Sequence, residues 1–188
     1  MNAELEKVSL PLSRDNLVNL ARGELKLVDL FLAGLRELGI YERSLIFIMA
    51  DHGHSQGAIG LRLPPDLQPA GSQAGSPLIR VMGSGIPLLL VKRAGDAGEL
   101  RVSDAPASQV DVSATVSAEL GLGLKGAGVP LFQIRPGQPR ERHFYHYSWE
   151  HRDWMNLYLP DLVEYRVQGH AWLASSWQAT GKVLKPGR

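Results

Sequence analysis

The sequence of 188 residues predicts an α/β protein, with a partial parallel sheet flanked by helices and a small β-rich appendage at the C-terminus. Two observations predict this fold. First, an amphipathic helical pattern is followed closely by a strand that is apolar on both faces, which is the repeating unit of an α/β sheet, and this unit recurs further along. Second, the pattern changes from residue 140 onward to short alternating segments.

The first element is an amphipathic helix. Between Leu17 and Leu38, apolar residues recur at three- and four-residue spacing, which places them on one stripe of a helix. We expect Asp15 or Asn16 to cap its start, because short polar side chains accept hydrogen bonds from the first turn. Gly39 can adopt the left-handed conformation that ends a helix.

Two apolar runs follow and predict two strands of a sheet. Ser44 to Ala50 is too short for a free-standing helix and is apolar on both faces, which is typical of a buried parallel strand. Ile86 to Lys92 is the second run. Ser108 to Asp111 has the form of a capping box and predicts a helix that continues to about Leu120 and ends at Gly121.

The C-terminal region is predicted to form a separate antiparallel unit, so we divide the chain into residues 1–139 and 140–188. Two alternating segments, Arg142 to Tyr147 and Leu162 to Val167, predict half-buried strands.

Four aromatic or imidazole side chains on the first of these strands raise the question of a metal site. His143, Tyr145 and Tyr147 fall on one strand face and His146 falls on the other, so the four cannot bind one ion. We expect this strand to be an edge strand with partly buried aromatic residues.

Composition excludes several classes of function. Lys plus Arg is 20 and Asp plus Glu is 19, so the net charge is too small for the basic surface that nucleic-acid binding usually requires. The absence of cysteine excludes a disulfide framework, a thiolate nucleophile and a cysteine zinc site. No apolar run reaches the roughly 20 residues that span a bilayer, and the first residues do not resemble a signal peptide. As written, the chain is expected to be cytoplasmic; an upstream segment would leave a periplasmic or membrane-anchored location open.

The residues that indicate chemistry are Asp51, His52 and Gly53, which come where the first predicted strand ends. Ligands of open α/β sheets bind beyond the carboxyl ends of strands, so this is a favourable place for a site. A carboxylate with an imidazole suits zinc or manganese better than calcium, although calcium stays open. A metal centre needs three or more ligands. The alternative is that Asp51 caps the following turn and His52 is a solvated loop residue.

Four stretches of the sequence resemble one family in the expected order. They are Glu24 to Leu32, Leu38 to Gly53 with its Asp-His-Gly ending, Ile86 to Lys92, and Ser108 to Val116. Together they resemble the sulfatase-like branch of the alkaline phosphatase superfamily, over about residues 20–120. The resemblance implies a C-terminal half of an alkaline-phosphatase-like α/β domain.

The resemblance also implies an activity: a hydrolase that acts on sulfate or phosphate esters, with Asp51 and His52 as ligands of its divalent metal. In that family the nucleophile lies far upstream, near the first strand. We therefore expect this chain to be inactive alone and to require a missing N-terminal half or a partner chain.

The resemblance is incomplete in the loop after the Asp-His-Gly turn. The family usually has a Lys or His there that contacts the anionic substrate, and residues 55–91 contain neither. Arg62 and Arg80 are the candidates to bind the substrate as fixed cations. The alternative is that both arginines are simply solvated.

Two other functions remain open at this stage. One is a non-catalytic remnant, a module that binds a partner through an open sheet edge. The other is a fragment of a phosphoethanolamine or phosphoglycerol type transferase, which shares the same metal centre.

Overall fold

The structure is a computed structural model that describes residues 6, 9, 11, 13–54, 77–124, 126–147 and 160–185. Its helices are α1 (Arg14–Glu37), α2 (Pro77–Gly85) and α3 (Val110–Glu119), and its strands are β1 (Ile46–Met49), β2 (Leu89–Lys92), β3 (Glu141–His146), β4 (Leu162–Gln168) and β5 (Trp177–Leu184). Two short 3-10 helices, Leu131–Gln133 and Ala174–Ser176, complete the described elements. This is a mixed α/β architecture with two small antiparallel sheets.

Helix α1 confirms the predicted amphipathic helix, although its cap is a different residue. Ser13 Oγ accepts a hydrogen bond from the backbone amide of Asn16 at 3.2 Å, so Ser13 is the N-cap rather than Asp15 or Asn16. Gly39 has a φ of 66° and ends the helix as predicted. No helix within the described ranges has the length and apolar character to cross a membrane.

Strands β1 and β2 both form, but they pair antiparallel, with Ile46 opposite Lys92 and Met49 opposite Leu89. The prediction of a parallel pair is therefore not met. The reason lies at the end of β1, where the backbone amide of Gly53 donates to the carbonyl of Ser84 at 2.8 Å. This contact places residues 84–88 beside the end of β1, so β2 starts where β1 stops and runs back along it.

The C-terminal sheet confirms the two predicted strands and adds a third. Its order is β3-β4-β5, all antiparallel, and among the described strands β3 lies at the edge, as predicted. Strand β5 was not predicted. Its residues alternate between apolar and polar from Trp177 to Val183, but Ala179 and Gly181 are small, so the apolar pattern is weak. Gly181 has a φ of 79° within a register irregularity opposite Val163 to Tyr165.

The best-buried apolar cluster joins helix α2 to the C-terminal sheet. Val81 and Met82 of α2 pack with Val167 of β4 and Trp177 of β5. The Trp177 ring also lies edge-on to Phe144, with ring centroids 5.8 Å apart. The described core thus has members on both sides of residue 139, and the division into two domains stays a prediction.

Candidate functional site

Asp51 and His52 lie in the turn that directly follows β1. Their side chains are 88% and 70% exposed, so both are open to a ligand from solvent. We call these two residues the turn pair. The nearest ring nitrogen and carboxylate oxygen, His52 Nε2 and Asp51 Oδ2, are 3.6 Å apart. That separation is too long for a good hydrogen bond.

Each side chain of the turn pair has one atom occupied by a backbone contact and one atom whose lone pair is available to an ion. Asp51 Oδ1 accepts a hydrogen bond from the backbone amide of His52 at 2.9 Å. His52 Nδ1 lies 2.5 Å from the carbonyl oxygen of Gly53. Because a carbonyl oxygen only accepts, Nδ1 carries the proton, and in the neutral ring Nε2 then has the free lone pair. Nε2 and Oδ2 are therefore the two atoms that can bind an ion.

Gly53 fixes the turn from one side by close backbone packing. A Cβ atom at this position would lie 2.0 Å from the carbonyl oxygen of Gly83 and 2.7 Å from that of Ile86. No side chain fits at those distances, so only glycine allows the turn to approach the end of α2. The hydrogen bond from Gly53 to Ser84 depends on this approach.

Gln109 holds the same turn from the other side. Its Nε2 donates to the carbonyl oxygens of Ala50 at 2.6 Å and Asp51 at 2.8 Å. The side chain comes from the residue that immediately precedes α3 and makes no capping hydrogen bond to that helix. The turn pair is thus connected to the start of α3.

The start of α3 is itself fixed by a buried ion pair. Asp111 is fully buried, and its two carboxylate oxygens accept hydrogen bonds from both terminal nitrogens of Arg140 at 2.6 Å. The backbone amides of Ser108 and Val129 also donate to Asp111, at 2.7 and 2.9 Å. The bond from Ser108 is one half of the predicted capping box.

The ionisation of Asp111 follows from these contacts. Burial alone would raise the pKa of its carboxyl group, but the Arg140 guanidinium and the two backbone amides outweigh burial and hold the pKa below its usual value. Asp111 is therefore a carboxylate at neutral pH. The ion pair joins α3 to the residue just before β3.

A second aspartate and histidine also lie together, and we call them the bridge pair. Asp104 Oδ1 is 3.4 Å from His170 Nε2. The backbone amide of Trp172 donates to His170 Nδ1 at 3.3 Å, so Nδ1 has the lone pair and Nε2 carries the proton. In the bridge pair, the nitrogen that faces the carboxylate donates a hydrogen bond and has no lone pair for a metal.

The other predicted site residues are not brought to the turn pair by any described contact. Arg62 lies outside the described residues. Arg80 is an exposed residue of α2, and its role in substrate binding stays a prediction. Among the described residues, no group of three or more His, Cys, Asp or Glu side chains is arranged to hold a metal. The described residues therefore supply two candidate ligands.

His143 and Tyr145 of β3 belong to a different cluster, centred on Glu164 of β4. Glu164 is 5% exposed and accepts hydrogen bonds from Tyr145 at 3.0 Å and from Thr180 at 2.9 Å. His143 lies between Glu141 and Glu164, at 3.1 Å through Nε2 and 3.4 Å through Nδ1. Because the two ring nitrogens point to different carboxylates, the three residues do not converge on one point.

Sequence reasoning did not identify Gln109, Arg140 or His170. Each acts through a partner more than 25 residues away in the chain. The capping-box pattern did mark Asp111, but as a local cap and not as the centre of a buried ion pair.

Comparison with known proteins gives no identification, because no family model, no curated protein and no solved structure matches this chain.

Proposed function

We propose that Asp51 and His52 are two ligands of a divalent metal, zinc or manganese, in an enzyme that hydrolyses sulfate or phosphate esters. In this proposal the chain contributes the C-terminal part of the catalytic α/β domain. The nucleophile and the remaining ligands come from outside the described residues or from a partner chain. The observation that supports it is the turn pair, in which backbone contacts leave a histidine lone pair and a carboxylate oxygen side by side.

The spacing of the two atoms fits a shared ion. Zinc bonds to nitrogen and oxygen are about 2.0–2.2 Å long, so two ligand atoms of one tetrahedral ion lie roughly 3.3–3.6 Å apart. The separation of 3.6 Å between Nε2 and Oδ2 is at the upper end of this range. The hydrogen bond at Nδ1 also matches metal-binding histidines, which commonly donate their second ring N–H to a carbonyl or carboxylate.

A bound metal would supply positive charge to neutralise the ester oxygens and to activate a nucleophile. This chain's own residues would bind and orient it. Asp51 and His52 provide the ligand atoms, while Gly53 and Gln109 hold the backbone that carries them. A phosphoethanolamine or phosphoglycerol type transferase would use the same centre and would differ in the acceptor.

A partner-binding module is the second candidate, and the surface of α1 supports it. Leu27, Leu30 and Phe31 of this helix are 42%, 55% and 62% exposed, and their spacing of three and four residues places them on one face. An apolar helix face of this kind is usually covered in the complete protein. A catalytic domain completed by further sheet would also cover it, so metal binding at the turn pair is the property that separates the two candidates.

The test is Mn²⁺ titration of the full chain, followed by paramagnetic broadening of assigned NMR signals. We expect Mn²⁺ to broaden the signals of Asp51 and His52 first, and Asp51→Asn or His52→Ala to abolish this broadening while the fold stays intact. The matched controls are Asp104→Asn and His170→Ala in the bridge pair, which are expected to leave Mn²⁺ binding at the turn unchanged. Unchanged Mn²⁺ affinity in Asp51→Asn and His52→Ala would contradict the ligand assignment.

A further inference from the structure

The side chain of Gln109 makes an uncommon pair of hydrogen bonds. One amide nitrogen donates to two consecutive carbonyl oxygens, those of Ala50 and Asp51, at 2.6 and 2.8 Å. An amide NH₂ group has two N–H donors, so both are used in the turn.

These two carbonyls flank the Cα atom of Asp51. The first belongs to the peptide group before that atom, and the second belongs to the peptide group after it. The relative orientation of the two peptide groups is set by φ and ψ of Asp51. Holding both oxygens on one nitrogen therefore fixes the backbone of Asp51, and with it the direction in which its carboxylate leaves the chain.

Gln109 is well placed for this function because its own backbone is fixed. Its carbonyl accepts a hydrogen bond from Val112 at 3.1 Å, in the first turn of α3. Two residues further on, Asp111 is fully buried and is held by Arg140. The side chain of Gln109 is not used as a helix cap, so its contacts to the turn are not a by-product of capping.

We infer that Gln109 is a positioning residue for the metal-binding turn, which it orients through the carbonyls of Ala50 and Asp51. This inference rests on the proposed function. An amide suits the position better than a charged residue, because it donates two hydrogen bonds without adding charge beside the turn. A lysine would donate but would place a cation near the metal, and a glutamate at neutral pH could not donate at all.

The test uses Gln109→Met, which keeps the length of the side chain and removes both donors, and Gln109→Glu, which keeps its shape and removes them by ionisation. Gln133, an exposed glutamine in the first 3-10 helix, provides the matched controls Gln133→Met and Gln133→Glu. The full chain is measured without metal by the ¹³C shifts of the Ala50 and Asp51 carbonyls, and then with Mn²⁺ by the broadening of Asp51 and His52.

In both Gln109 variants we expect the two carbonyl signals to shift. In Gln109→Met, which adds no charge, we expect Mn²⁺ affinity at the turn to fall about 10- to 100-fold, the usual effect of removing a residue that supports metal ligands. The Gln133 variants are expected to change neither quantity. If Gln109→Met does not fold, Gln109→Glu still tests the contact through the two carbonyl signals. The urea midpoint of unfolding of each variant shows whether a loss of affinity comes from unfolding.

The outcomes separate this inference from the proposed function. If the Gln109 variants shift the carbonyl signals but keep their Mn²⁺ affinity, the positioning role is overturned. The proposed function still holds in that case, provided that Asp51→Asn abolishes Mn²⁺ binding. Unchanged Mn²⁺ affinity in Asp51→Asn would overturn the proposed function, and the positioning role would fail with it. Unchanged carbonyl signals in both Gln109 variants would show that the contact itself does not form.

Discussion

The turn pair and the bridge pair have the same two residue types and nearly the same spacing, 3.6 Å in one and 3.4 Å in the other. They differ in the backbone group that meets Nδ1 of the histidine. In the turn pair it is a carbonyl oxygen, and in the bridge pair it is an amide N–H. The backbone therefore decides which ring nitrogen carries the proton, and an aspartate beside a histidine is not by itself a metal site.

The two pairs also differ in what holds them. The turn pair consists of neighbours in sequence and is oriented by Gly53 and Gln109. The bridge pair joins residues 66 positions apart and connects the loop before α3 to the C-terminal sheet. We interpret the first as a candidate ligand set and the second as a structural link.

The largest expected effect comes from removing the support beneath the turn pair. Arg140→Ala leaves the fully buried carboxylate of Asp111 without its charged partner, and losing one member of a buried pair costs about 3–5 kcal/mol of unfolding free energy. Urea denaturation measures this loss. Arg14→Ala is the control, because Arg14 forms an exposed pair with Asp15 at 3.8 Å that contributes at most about 1 kcal/mol. Equal losses in the two variants would contradict the role of Arg140 as a support.

Acid weakens the same support reversibly. The pKa of Asp111 is lowered in the folded state, so its contribution to stability is complete above its ordinary pKa of about 4 and is lost as the pH falls through the lower folded value. We expect the urea midpoint of the wild type to fall in this acid range. Asp111→Asn, already less stable at neutral pH, is expected to show a smaller fall there. Parallel pH profiles for the two proteins would exclude Asp111 as the source.

A smaller effect is expected from Gly53→Ala, which acts on the turn pair directly. The added Cβ would meet two backbone oxygens that cannot rotate away, and overpacking of this kind costs about 1–3 kcal/mol. The variant is also expected to lose Mn²⁺ binding at Asp51 and His52. Gly34→Ala is the control: its Cβ has nothing within 4 Å in the interior of α1, and the change is expected to stabilise by about 1 kcal/mol.

The two histidines, His52 and His170, are also expected to differ in tautomer, a difference that can be measured in the unaltered protein. At a pH where both rings are neutral, ¹H–¹⁵N correlation spectra are expected to show His52 protonated at Nδ1 and His170 protonated at Nε2. These assignments follow from the carbonyl of Gly53 and the amide of Trp172. The same tautomer in both histidines would remove the physical distinction between the two pairs.

Features with a local cause were predictable from the sequence. Helix α1, the left-handed Gly39 after it and strands β3 and β4 depend on residues a few positions apart, and all four were confirmed. Burial alternates as expected along β3 but not along β4. Ser13 replaced the predicted caps because several short polar residues precede the helix, and propensity does not choose among them.

Features with a distant cause were not predictable. The antiparallel pairing of β1 and β2 depends on the contact of Gly53 with Ser84. Strand β5 alternates, but its apolar positions after Trp177 are the small residues Ala179 and Gly181, so its hydrophobic pattern is weak. Asp51 and His52 could be named as candidate ligands because they follow a strand. Gln109 contacts this turn from 58 positions away, and its local pattern indicates only a helix start.

The network around Glu164 has a consequence for the order in which the C-terminal sheet folds. Its carboxylate accepts hydrogen bonds from Tyr145 on β3 and from Thr180 and Lys182 on β5, at 3.0, 2.9 and 3.3 Å. A hairpin of β3 and β4 alone would lack the donors from β5, and one of β4 and β5 alone would lack the donor from β3. Either two-stranded intermediate is therefore disfavoured, because it leaves the Glu164 carboxylate without some of its hydrogen-bond donors. We expect the three strands to assemble in a single cooperative step.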